Sequence, residues 1–187
     1  MIWGERDVSV SFCEDNYNYY IAEFYNTFSS FCYLGVGLYF INSPLKKIAY
    51  SILGIGMGSI LLHGTQRKYG QWLDEMSMIS ASFFSLQRFN PRIKGYILVP
   101  ILLIYLKYSK IYFMFLIPFV GLSAYLTNKL FWINIYGKMY SIAFILGWIL
   151  WILDQGICEH IKHLNLHAWW HVLSAVAIFF GFKAMLN

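Results

Sequence analysis

Apolar residues run through this chain in long unbroken blocks, not in the alternating or one-sided patterns of a water-facing fold. Seven blocks stand out, at 20–42, 46–64, 71–88, 95–107, 110–127, 131–153 and 166–186. A membrane-spanning helix needs about 20 residues, with some latitude from tilt and local thinning of the bilayer. The blocks therefore predict an all-α integral membrane protein of seven transmembrane helices. Little chain is left over, so the loops must be short and a separate soluble domain is excluded. Residues 1–187 form one seven-helix domain in this reading, with 1–19 as an extramembrane N-terminal segment. The fourth block, GYILVPILLIYLK, is short and contains Pro100, which leaves a merged or re-entrant segment, and six spans, as the alternative. The opening MIWGERDVSVSFCEDNY lacks the apolar run of a cleavable signal, so the first helix is expected to direct insertion.

Composition supports the same class. Hydrophobic residues make up 59% of the chain and charged ones only 12%, whereas a typical soluble domain is nearer one quarter charged. Lys and Arg placement sets orientation. With the N-terminus lumenal or extracellular and the C-terminus cytosolic, eight of the 14 basic residues fall on the inner side. The net charge of +5 calls for no nucleic-acid partner, because basic loops against anionic membrane lipid account for it.

Ionisable side chains within spans are costly, and they usually serve a site. Here they are grouped. His63 ends the second block, Asp74 and Glu75 open the third, and His167 and His171 open the seventh; Glu23 begins the first and Asp154 closes the sixth. An up-and-down bundle brings these ends to one membrane face. Residues four apart on a helix point nearly the same way, so His167 and His171 can grip one ion, with His63 as a third ligand. Three imidazoles suit zinc and leave its fourth position open, as catalytic zinc requires. Asp74 is then placed to serve as general base and acid. Ser59, one turn before His63, is placed to donate to a developing oxyanion.

Each residue alone has a plainer explanation. The histidine pair could bond to neighbouring backbone, and Asp74 could be a first-turn acid favoured by the helix dipole. Ser59 in GIGMGS could mark close helix packing. Trp169 and Trp170 fit an interfacial belt, with Trp170 also placed to wall a cavity. His160 and His163 fall in the loop before the seventh block, and Cys32 reads as an apolar filler. The convergence at one depth, not any single residue, points to a metal site.

The blocks FCEDNY…YIAEFYNT, GMGSILLHGT…QWLDEMSMI, LDQGICE and HAWWH, in this order over residues 12–171, resemble the alkaline ceramidase family. That family belongs to a wider group of seven-span proteins that includes adiponectin and progestin receptor relatives. The resemblance implies zinc at His63, His167 and His171, Asp74 assisting the attacking water, and Ser59 stabilising the oxyanion. It implies hydrolysis of the amide of ceramide, or a related sphingolipid, in an endoplasmic reticulum or Golgi membrane. It also implies a calcium site at Glu14, Asn16 and Glu23, whose oxygens suit that ion. The chain departs from the family there: Ser11 and Phe12 replace an Asp-Trp pair, and the Asn16–Glu23 spacing is two residues shorter. Asp15 or Asp7 would have to supply the missing anion. The two CE positions match as well, implying a Cys13–Cys158 disulfide at the outer face, where an oxidising compartment permits one.

The leading expectation is a zinc-dependent intramembrane ceramidase. The alternatives are a seven-span lipid receptor or sensor with a structural or vestigial zinc, and a hydrolase of another lipid.

Overall fold

The structure, a computed structural model, describes residues 2–14 and 19–187. The described residues contain helices and turns but no strand. The helices are α1 (Phe24–Ser29), α2 (Phe31–Phe40), α3 (Lys46–Thr65), α4 (Lys68–Phe89), α5 (Leu98–Tyr108), α6 (Phe113–Phe131), α7 (Ile135–Gly156), α8 (Cys158–Ile161) and α9 (Leu166–Leu186), with 3₁₀ turns at Gly95–Ile97 and Lys162–Leu164.

All seven apolar blocks contain helix. Four of the helices, α3, α6, α7 and α9, are both long and apolar enough to cross a membrane. The others fall short of the expected spans for different reasons. α4 is 22 residues long but carries Lys68, Asp74, Glu75 and Arg88. With its preceding 3₁₀ turn, α5 covers only Gly95–Tyr108, and Pro100 lies in its first turn, where a missing N–H is tolerated.

The first block departs most from expectation. Its helix starts at Phe24, not at residue 20, because the preceding backbone is used elsewhere. Ala22 N and Glu23 N donate to Gly64 O and His63 O, each at 3.0 Å. These are among the terminal carbonyls of α3, which lack partners within their own helix. The block is then divided at Ser30. Three donors converge on Asn26 O: Ser30 N at 3.3 Å, Ser30 Oγ at 2.7 Å and Ser29 Oγ at 3.1 Å. Hydroxyls that bond back to the helix compete with its regular ladder.

α3 and α4 form a tight antiparallel pair. α3 ends on Gln66 in the left-handed conformation, φ 53°, a common helix stop. A Cβ on Gly58 would collide with the backbone of Asp74, and one on Gly70 would collide with the backbone of Leu61 and Leu62. Only glycine permits that approach. α9 packs against α7 and closes the bundle over α1 and α2. Below the polar layer, Tyr33, Phe40, Ile48, Ile52, Ile55 and Phe182 make the main apolar core, with Phe40 and Phe182 stacked at 4.3 Å between ring centroids.

Candidate metal centre

The ends of α3 and α7 and the starts of α1, α4 and α9 meet in one layer, and the buried ionisable residues lie there. His63, His167 and His171 are all buried. Their ring centroids are separated by 5.0 Å (His63–His167), 4.9 Å (His63–His171) and 4.6 Å (His167–His171). One ring nitrogen from each falls within 4.8 Å of the others. Among the described residues, no other group of three His, Cys, Asp or Glu side chains gathers in this way.

The histidines are held from behind. Glu23 Oε2 accepts from His63 Nδ1 at 2.5 Å. The same oxygen accepts from Asn26 Nδ2 at 3.0 Å, and Oε1 accepts from Gln66 Nε2 at 2.9 Å. The His171 Nδ1 atom lies 2.8 Å from Ser29 Oγ and 3.3 Å from Ser30 Oγ. With Nδ1 engaged, each of these two rings keeps Nε2 for a ligand. An imidazole fixed through one nitrogen by a hydrogen bond is the usual arrangement of a metal-bound histidine. The buried Nδ1 of His167 has no hydrogen-bond partner. Three buried imidazoles, two of them already oriented, fit a metal ion.

Ser59 and Asp74 line the same cavity as the three histidines, together with Tyr33 and Trp170. Ser30 Oγ and Ser59 Oγ are 2.9 Å apart. Asp74 is buried, and its Oδ1 has no partner. Trp170 walls the cavity, while Trp169 points outward. His160 in α8 and His163 in the 3₁₀ turn that follows are exposed, and Cys32 is exposed too.

The N-terminal segment closes the layer from above, a role that sequence alone did not suggest. The Phe12 ring lies 4.1 Å from that of His167 and 4.7 Å from that of His63. Several bonds sew this segment down. Cys13 is joined to Cys158 by a disulfide, with the Cα atoms 5.2 Å apart. Asp154, buried at the end of α7, accepts from Cys13 N at 3.3 Å. Ser9 N donates to Gln71 Oε1 at 2.9 Å.

Of the residues expected at calcium, Glu14 and Glu23 are described. Glu14 turns Oε1 to Tyr25 N and Oε2 to Asn26 N, both at 2.8 Å. It thereby satisfies the free N–H groups at the start of α1. Glu23 holds three side-chain N–H donors, including His63. Asp7, suggested as a substitute ligand, instead accepts from Lys68 N at 2.6 Å and pairs with Arg67 at 3.3 Å. Asn16 and Asp15 lie outside the described residues.

A model of the ceramidase family matches residues 4–186. The chain belongs to the ceramidase family. It is 27% identical to alkaline ceramidase 3 of Mus musculus, covering 93% of this chain and 81% of that protein. It is 26% identical to the alkaline ceramidase YPC1 of Saccharomyces cerevisiae, covering 96% and 76%. Its identity to alkaline ceramidase 1 of Mus musculus is 25%, covering 98% and 81%. As a ceramidase-family chain it is a membrane hydrolase, and the histidine cluster is the part of it suited to a metal.

Proposed function

We propose that this chain is a zinc-dependent intramembrane amidase that cleaves ceramide to a sphingoid base and a fatty acid. The observation that carries the proposal is the gathering of His63, His167 and His171 with Asp74 and Ser59 around one buried cavity. An all-imidazole donor set favours zinc over the hard cations, which prefer oxygen. Bound there, zinc supplies a Lewis acid and lowers the pKa of water to about 7.

The chain's own residues divide the remaining work. Asp74 takes a proton from the water that attacks the carbonyl carbon, then passes it to the nitrogen as the C–N bond breaks. Ser59 donates a hydrogen bond to the carbonyl oxygen as charge develops on it. Ser59 Oγ is held 2.9 Å from Ser30 Oγ, beside the histidines. The surrounding Tyr33, Trp148, Trp151 and Trp170 give the cavity walls suited to lipid tails.

In this reading residues 1–187 form one seven-span domain in an endoplasmic reticulum or Golgi membrane. Residues 1–19 and the histidine layer lie on the lumenal side, and the C-terminus lies in the cytosol. The test is product analysis by mass spectrometry on a ceramide panel, using purified protein before and after chelation. Turnover should stop on chelation and return with zinc but not with calcium, and Asp74→Asn should keep the metal while losing turnover. Undiminished turnover by metal-free protein would overturn the proposal, and so would turnover of phospholipids in place of ceramides.

A further inference from the structure

Asp74 has a second carboxylate beside it. Glu75 is buried and lines the same cavity as the histidines, although consecutive helical residues leave the axis about 100° apart. Its position is fixed from outside the cavity. Gln71 Nε2 donates to Glu75 Oε1 at 2.8 Å and lies 2.6 Å from Ser9 Oγ. The Ser9 backbone N–H in turn fixes Gln71 Oε1. Nothing in the hydrolysis derived above uses Glu75.

The wall around Glu75 is polar and only partly paired. Asp74 Oδ1 is buried without a hydrogen-bond partner, and the Tyr105 hydroxyl is directed at the Glu75 carboxylate. Buried polar atoms are nearly always paired, so the two carboxylates lining this wall suit a ligand that brings more than one O–H or N–H donor. An amide N–H meets one of them. A hydroxyl-free fatty amide has nothing for the other.

We propose that Glu75 is a specificity-determining residue that accepts hydrogen bonds from hydroxyls on the amine half of the substrate, with Tyr105 holding its carboxylate from behind. The proposal rests on the amidase reading above and narrows it. The enzyme selects amides whose nitrogen sits on a hydroxylated chain, as in ceramide, over plain N-acyl alkylamines of equal length. A site built around a substrate hydroxyl discriminates strongly against analogues that lack it, because its own polar groups are then buried unpaired.

The experiment compares kcat/KM for a ceramide and for an N-acyl alkylamine of matched chain lengths. It uses the parent protein, Glu75→Leu and Glu75→Gln, with zinc content measured on each. The parent should prefer the ceramide. Glu75→Leu should cut that preference about tenfold or more, while kcat/KM for the alkylamine stays within about threefold of the parent. Glu75→Gln, which keeps the side-chain volume and an acceptor for Gln71, should shift the ratio the same way by less. Three results would overturn the proposal: a parent indifferent to the hydroxyls, equal losses on both substrates, or zinc-loaded variants inactive on both. A parent that hydrolyses neither amide refutes the amidase reading itself, which separates that failure from this one.

Discussion

The pair α3–α4 and the helix α6 show opposite uses of the same solvent. Of the most apolar stretch of α3, 67% is buried inside the protein, against 22% for α6. α6 presents Ile117 and Val120 outward, while α4, the more polar helix, buries Gln71, Asp74, Glu75 and Ser77. In water the apolar helix would be the hidden one. In a bilayer, lipid accepts apolar side chains without cost, and polar side chains must find partners inside. Hydropathy therefore marks where this protein meets lipid, and polarity marks where it works.

That contrast can be broken from the polar side first. His63→Ala, His167→Ala or His171→Ala should remove metal and activity together, by more than the roughly 10–100-fold that altering a carboxylate behind a metal-bound histidine costs. Metal analysis by mass spectrometry alongside turnover checks this. Glu23→Gln comes next. It keeps the bulk but weakens the bond that orients His63, so metal affinity should fall about 10–100-fold in a competition with a zinc chelator. Unchanged affinity would show that Glu23 serves only the fold.

Gly58→Val tests the closeness of the helices in place of their chemistry. Added methyls would press on the Asp74 backbone, and overpacking typically costs about 1–3 kcal/mol. A lower Tm and a displaced Asp74, hence reduced turnover with metal retained, are the expected outcome. At the other extreme, Ile117→Ala on the exposed face of α6 should change stability within about 0.5 kcal/mol and leave turnover alone. A large loss there would mean that α6 is covered by protein and not by lipid.

Much of the site was legible because its residues are unusual where they stand. His63, His167, His171, Asp74 and Ser59 fall at matching ends of apolar blocks, and helical spacing alone aligns the last two histidines. Close packing was the plainer reading of Ser59 in GIGMGS; in the structure Gly58 makes the close approach, while Ser59 faces the cavity. What sequence did not disclose was the supporting shell. Glu23 was read only as a calcium residue, and the structure gives its carboxylate a bond to His63, 40 positions away. Phe12 was noted only as a departure from the family pattern, yet its ring covers His167. Ser29 carried no signal, because a serine within an apolar block is ordinary until its partner is known. Such pairings depend on which helix ends meet, and no periodicity encodes that.

The sequence by itself determined the solvent, the helical class, the family and the set of side chains too costly to leave in lipid. Only the tertiary structure decided how those side chains share their hydrogen bonds: Glu23 with His63, Ser29 with His171, and Gln71 with both Ser9 and Glu75. The reason is one of range. Hydrophobicity and helical spacing are local and sum along the chain, whereas a hydrogen bond needs two atoms within about 3 Å, and only packing brings together atoms that begin far apart.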